Sequence, residues 1–107
     1  MVSEPEIISG ELQDTETSLE GLFSLTLLDD NDHTYQYVIG MLAAIFGYGK
    51  EKAFAIAKMV DSNGEAVVET AEYASVLKHQ RLIHSFGPDP NIKHCLGSMS
   101  AIIEPVS

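Results

Sequence analysis

The spacing of the apolar residues changes abruptly in the first half of the chain. Phe23, Leu25 and Leu27 stand at every second position, which is typical of a half-buried strand. A polar loop follows and ends at Thr34, a candidate helix N-cap. From Tyr35 to Phe46 the apolar residues recur at the three- and four-residue spacing of an amphipathic helix. A strand that leads through a short loop into a helix predicts a mixed α and β fold.

The middle of the chain predicts one more helix and one more strand. The second helix fits Lys50 to about Ser62, and the Asn63-Gly64 pair that follows is a strong turn signal. The short apolar run 66–68 predicts a second strand.

The last third of the chain predicts a third helix and a third strand. Thr70 is the expected N-cap of this helix, and Glu72 in its first turn would favour the helix dipole. The helix must end by Gly87-Pro88, because proline lacks the amide hydrogen that a helix needs. Residues 99–103 predict the closing strand. The predicted fold is α+β in the order β-α-α-β-α-β, a small three-stranded antiparallel sheet packed with three helices.

The charge balance limits the partners. The 107 residues contain 16 acids and 6 Lys and Arg, so the formal net charge is −10. Nucleic acids and anionic membrane surfaces bind clustered basic residues, so we expect neither as a partner. Residues 1–20 carry acids and no Lys or Arg, and their apolar residues follow no steady period. We interpret them as an acidic, disordered extension of the domain at 21–107, which either engages a partner or acts as a solubilising tail.

The chemistry of an enzyme or of a metal site is not evident in the sequence. Cys95 is the only cysteine, and we expect the side chain of its sequence neighbour His94 to diverge from it. His79 and His84 are five positions apart and do not share a helix face, so we expect two solvated histidines. The segment 30–32 begins like a calcium loop but lacks its later glycine and glutamate. We therefore predict a binding module without catalytic residues, metal or cofactor.

The expected compartment is the cytoplasm. A single cysteine cannot form an intramolecular disulfide, which makes a reducing environment the default. The first residues lack the basic start and apolar middle of a signal peptide. No apolar run approaches the ~20 residues of a membrane span.

The segment Leu27–Ile39, with the sequence LLDDNDHTYQYVI, resembles the signature of ClpS, the adaptor of the bacterial Clp protease. In that family the strand ends in a valine- or leucine-led Asn-Asp-Asp, and an aromatic-Val-Ile helix follows after a few residues. The resemblance covers about residues 22–104 and continues through Phe46-Gly47-Tyr48, the Gly64 turn, Thr70-Ala71-Glu72 and the last strand to Glu104. The family's fold has the same β-α-α-β-α-β order.

The resemblance implies an adaptor rather than an enzyme. ClpS proteins bind the bulky hydrophobic first residue of an N-degron substrate and deliver the substrate to a ClpA- or ClpC-type AAA+ unfoldase, which feeds ClpP. It therefore implies substrates with N-terminal Phe, Tyr, Leu or Trp. In the family, an Asn and an Asp at the strand end and a His at the end of the second helix hold the α-amino group.

By position, the residues that would bind the α-amino group in this chain are Asp29, Asp30 and Asp61. Asp29 stands in place of the family's Asn, and Asp61 in place of its His. Carboxylates accept charge-assisted hydrogen bonds from an ammonium group, so the site can still bind an N-terminus. The alternative is a ClpS-like interaction domain that has lost this recognition, with Asp61 simply facing water.

The resemblance also implies a hydrophobic pocket and an unfoldase interface. The pocket positions fall on Asn31, His33, Tyr35, Val38, Ala57, Val60 and Met99. Tyr35 replaces the gatekeeping methionine, the residue that excludes β-branched first residues; the alternative is that Tyr35 belongs to the domain's own core. The unfoldase interface falls on Glu72 and on Lys78. Leu77 stands at the family's Lys position, and Lys78 is the next residue.

Overall fold

The computed structural model describes residues 20–30, 32–93, 95 and 97–106. The elements run in the order β1 (Leu22–Leu28), α1 (Tyr35–Phe46), α2 (Lys50–Asn63), β2 (Glu65–Glu72), α3 (Tyr73–His84) and β3 (Ser100–Pro105). The predicted α+β fold and its β-α-α-β-α-β order are therefore confirmed. The predicted acidic extension lies outside the described residues except for Glu20.

Strand β1 is the centre of an antiparallel sheet with the order β2-β1-β3. Leu27 pairs with Ala66 on one side and with Ala101 on the other, and all three are buried. The register on β2 shifts between Leu25 and Thr26 of β1, which is a β-bulge. Phe23, Leu25 and Leu27 are buried as the alternation predicts, but Thr26 on the opposite face, beside the bulge, is buried as well.

The three helices complete a single hydrophobic core with the sheet. Helices α1 and α2 contribute buried residues at helical spacing: Val38, Met41, Leu42, Ala53, Ile56, Ala57 and Val60. Helix α3 adds Val76 and Ile83, neither of which is exposed. This core fixes the ends of β1 and α2 relative to α1, and the candidate site lies where these elements meet.

Local signals set both ends of α1. The Thr34 hydroxyl accepts a hydrogen bond from the Tyr37 amide at 3.1 Å, which confirms Thr34 as N-cap. Gly47 ends the helix with φ of 73°, and its amide donates to the Ala43 carbonyl. The cap therefore fixes where Tyr35, the first residue of the helix, lies.

Two predicted boundaries are wrong. Strand β2 extends to Glu72, so Thr70 lies in the strand and the third helix starts at Tyr73 with Glu72 as its N-cap residue. Pairing with β1 as far as Leu22 opposite Glu72 keeps this segment extended. Strand β3 begins at Ser100 and ends at Pro105, because its pairing with β1 covers these residues.

The prediction of two solvated surface histidines is wrong for half-buried His79, and the exposed His84 also makes a hydrogen bond. The His79 Nδ1 atom lies 2.8 Å from Glu69 Oε1, and its ring packs against Phe46. His84 Nε2 accepts a hydrogen bond from the Ala101 amide at 3.1 Å. The histidines therefore tie α3 to both outer strands of the sheet.

In the part of the chain that the structure describes, no helix is long and apolar enough to cross a membrane.

Candidate functional site

The loop after β1 is fastened to the end of α2. The Asp29 amide donates a hydrogen bond to the Gly64 carbonyl at 2.9 Å. Gly64 directly follows α2 and has φ of 84°, a conformation that favours glycine. Asp29 and the last turn of α2, which carries Asp61, are thereby brought to the same end of the domain.

Tyr35 links this loop to α2. Its hydroxyl donates a hydrogen bond to Asp61 Oδ2 at 2.9 Å. That bond raises the pKa of Tyr35, and burial and the nearby charges of Asp61 and Asp29 raise it further. Two of the three predicted amine-binding carboxylates and the predicted gatekeeper therefore share one site.

The Asp61 side chain is exposed, yet it does not simply face water. A carboxylate offers about four lone-pair positions, and the Tyr35 hydroxyl occupies one of them. The remaining positions leave Asp61 able to accept further hydrogen bonds from a ligand. One hydrogen bond therefore connects Asp61, the predicted amine-binding residue, with Tyr35, the predicted gatekeeper.

Asp30, the third predicted carboxylate, is bound within its own loop. Its Oδ1 atom accepts from the Asp32 amide at 3.0 Å and lies 2.8 Å from His33 Nδ1. The other ring nitrogen of His33 lies 2.8 Å from the Gly97 carbonyl oxygen. One ring nitrogen therefore faces the Asp30 carboxylate, and the other faces the Gly97 carbonyl. His33 thus holds the loop against the connection between α3 and β3.

The predicted pocket residues fall into two groups. Val38, Ala57, Val60 and Met99 are 5% exposed or less and belong to the continuous core. Tyr35 is half-buried at the edge of that core, so it is neither fully a core residue nor a free surface residue. The His33 side chain is buried, with an exposed fraction of 3%. Asn31 lies outside the described residues.

Asp89 is a site-supporting residue that the sequence did not reveal. Its carboxylate is 1% exposed and accepts from the Thr34 amide at 2.6 Å, the Thr34 hydroxyl at 2.9 Å and the Asn91 amide at 2.8 Å. Burial acts to raise the pKa of Asp89, but these hydrogen bonds favour the charged form and leave its pKa below the usual value. The flanking prolines predict a turn, which the bond to Asn91 makes, but nothing local points to Thr34.

Cys95 lies beside His33, which is 62 positions away in the sequence. Its Sγ atom is 3.4 Å from His33 Nε2 and accepts a hydrogen bond from the Asp89 amide at 3.2 Å. These contacts make the thiol part of the packing between the loop and the connection. His94, the neighbour considered as a base, lies outside the described residues. Within the described ranges, no group of three or more His, Cys, Asp or Glu side chains could hold a metal ion.

The predicted partner-binding residues lie elsewhere on the surface. Glu72 closes β2 opposite Leu22, and its side chain is exposed. Lys78 is exposed on α3, whereas Leu77 beside it is half-buried. These positions are open to a partner, and they are built from β2 and α3 rather than from the loop that carries Asp29.

A family model and a solved structure connect this chain with known proteins. The family model for the ATP-dependent Clp protease adaptor protein ClpS matches residues 19–91, more than half of the chain. The solved structure of Agrobacterium tumefaciens ClpS2 bound to L-phenylalaninamide superposes with a TM-score of 0.68 at 19% identity. The match covers 79% of this chain and 96% of that one, and at this identity it demonstrates a shared fold. No curated protein matches the sequence.

Proposed function

The chain belongs to the ClpS family of Clp protease adaptors, and we propose that it recognises the bulky hydrophobic N-terminal residue of N-degron substrates. ClpS is a family of adaptors and not of enzymes, so the chain contributes binding and no catalysis. In this proposal it delivers bound substrates to a ClpA- or ClpC-type AAA+ unfoldase for degradation by ClpP. The proposed location is the bacterial cytoplasm, where that protease works.

The observation that carries the proposal is the grouping of Asp29, Tyr35 and Asp61 at the edge of the core. An α-ammonium group has three donors and one positive charge. Carboxylates are its strongest acceptors in a protein, because both partners of the bond are charged. Asp61 keeps acceptor positions beyond the one that Tyr35 uses, and Asp29 adds a second negative charge close by. The pair supports binding of a free N-terminus although the family's Asn and His are both replaced.

Asp30 has an indirect part in this proposal. Its Oδ1 atom is in contact with the Asp32 amide and with His33, so Asp30 stabilises the loop conformation in the absence of a ligand. The His33 ring in turn reaches the Gly97 carbonyl, so Asp30 acts on the site through the conformation of the loop.

The first side chain of the substrate is proposed to contact Tyr35 at the edge of the core. The buried Val38, Ala57, Val60 and Met99 supply an apolar environment continuous with the Tyr35 edge. A. tumefaciens ClpS2 binds L-phenylalaninamide, a compound with an α-amino group and an aromatic side chain. The shared fold makes a ligand of that class the natural candidate for this chain. We propose Phe, Tyr, Leu or Trp as first residues.

A fluorescence titration with labelled peptides tests the proposal. Peptides that begin with Phe, Tyr, Leu or Trp are compared with the same peptides acetylated at the α-amino group. Acetylation removes the charge and leaves carboxylates without their partner, which costs on the order of 1–3 kcal/mol or more. We therefore expect the acetylated peptides to bind at least about fivefold more weakly.

Two variants with the same change in charge provide the control. Asp61→Asn should weaken the binding of the free peptides, whereas Asp32→Asn changes an exposed acid of the loop after β1 and should not. Equal affinity for free and acetylated peptides would contradict N-terminus recognition. The chain would then be a ClpS-like protein-interaction domain that binds without reading N-termini.

A further inference from the structure

Phe54 is a large apolar residue that lies outside the hydrophobic core. It lies on α2, and 47% of its surface is exposed. Its ring is nevertheless in contact with the Tyr35 ring, with centroids 5.6 Å apart and an interplanar angle of 58°. This is the separation and tilt of a favourable aromatic pair. An exposed phenylalanine therefore has one defined aromatic neighbour, and that neighbour is the candidate gatekeeper.

The geometry of α2 places Phe54 and Asp61 on the same side of the helix. They are seven residues apart, which corresponds to two turns, about 10 Å along the axis and only ~20° around it. Ala57 lies between them, one turn from each, and is small and buried. Tyr35 contacts both residues, through its ring at Phe54 and through its hydroxyl at Asp61. The tyrosine is therefore held at two points along one stripe of α2.

We propose that Phe54 is a positioning residue that fixes the Tyr35 ring and thereby sets which first residues the site accepts. This inference rests on the proposed function. A tyrosine side chain has two torsions, and a hydrogen bond at the hydroxyl alone leaves the ring free to rotate about the line to Asp61. The contact with Phe54 removes that freedom. A fixed flat ring excludes β-branched first residues by shape, whereas a rotating ring gives way to them.

The experiment measures the affinity of peptides that begin with Leu and with Ile for the full chain and three variants. Phe54→Ala removes the ring, Phe54→Tyr keeps a ring in place, and Met59→Ala removes another exposed apolar side chain of α2. Met59 is 48% exposed and lies about 140° around the helix from Phe54, so it is a matched control.

In Phe54→Ala we expect the ratio of the affinity for the Leu peptide to the affinity for the Ile peptide to fall by about three- to tenfold. This is the free energy of an aromatic contact written as a ratio of binding constants. Phe54→Tyr and Met59→Ala should keep the preference of the unchanged chain. An unchanged preference in Phe54→Ala, or an equal loss of affinity for both peptides, overturns the positioning role while leaving the proposed function intact. If the unchanged chain binds acetylated and free peptides equally, the proposed function fails, and this inference fails with it.

Discussion

Replacing Asp89 tests how the long connection supports the site. Its buried carboxylate accepts three hydrogen bonds, two from Thr34 and one from Asn91. A hydrogen bond to a charged group contributes about 1.5–3 kcal/mol, and removal of the carboxylate also relieves the free-energy cost of burying a charge. We expect Asp89→Ala to lower the free energy of unfolding by about 3–5 kcal/mol, a large fraction of the ~5–15 kcal/mol of an ordinary domain.

Urea unfolding followed by circular dichroism measures this loss. Asp32→Asn is the control, because it changes an exposed acid in the loop that Asp89 holds, and it should stay within about 0.5 kcal/mol of the unchanged chain. A loss for Asp89→Ala no larger than that of the control would refute the reasoning. In that case the connection would not hold the start of α1.

The pH dependence gives a second readout of Asp89. Its pKa in the folded chain is lowered from the ordinary 3.8, so its contribution to stability is fully present above that value. The contribution is lost as the pH falls through the lowered pKa of the folded state. The stability difference between the unchanged chain and Asp89→Asn should therefore be largest above about pH 5 and shrink below about pH 4. A stability difference that stays constant through this pH range would show that the hydrogen bonds from Thr34 and Asn91 do not stabilise the ionised form of Asp89.

Three further predictions concern the site and the extension. Deletion of residues 1–20 should leave peptide affinity unchanged and abolish delivery, measured as unfoldase-dependent degradation of an N-degron substrate by ClpP; continued acceleration of degradation would make the extension only a solubiliser. Tyr35→Ala should admit peptides that begin with Ile and Val, whereas a sharp fall in Tm with an unchanged order of preferred first residues would assign Tyr35 to the core. Asp61→Asn should move the alkaline ultraviolet titration of Tyr35 down towards pH 10.0, because the hydrogen bond to Asp61 is the largest cause of its raised pKa; an unmoved titration would rule out that bond in solution.

The elements that can be predicted from the sequence are those whose signals are local. The alternation from Phe23 to Leu27 gave β1, and Thr34 and Gly47 gave the two ends of α1. Each of these signals acts within a few residues, through pleat periodicity, a cap hydrogen bond or a positive φ. The resemblance carried by 27–39 added the fold and the family from the same short segment.

Sequence position alone named Asp29, Tyr35 and Asp61 as site residues, but it did not give the contacts between them. The hydrogen bond from Tyr35 to Asp61 joins residues 26 positions apart, and the ring of Phe54 on α2 contacts the Tyr35 ring at the start of α1. No local pattern encodes such pairs, because they exist only after α1 and α2 have packed against the sheet.

Tertiary structure also decided where β2 ends and what Asp89 does. Thr70 and Glu72 have the composition of a helix start, yet pairing with β1 keeps both in the strand. Asp89 looks like a turn residue between two prolines, yet its carboxylate binds Thr34, which is 55 positions away. In both cases long-range hydrogen bonds to backbone groups outweigh local preference, because a backbone group buried by folding must find a partner wherever the fold provides one.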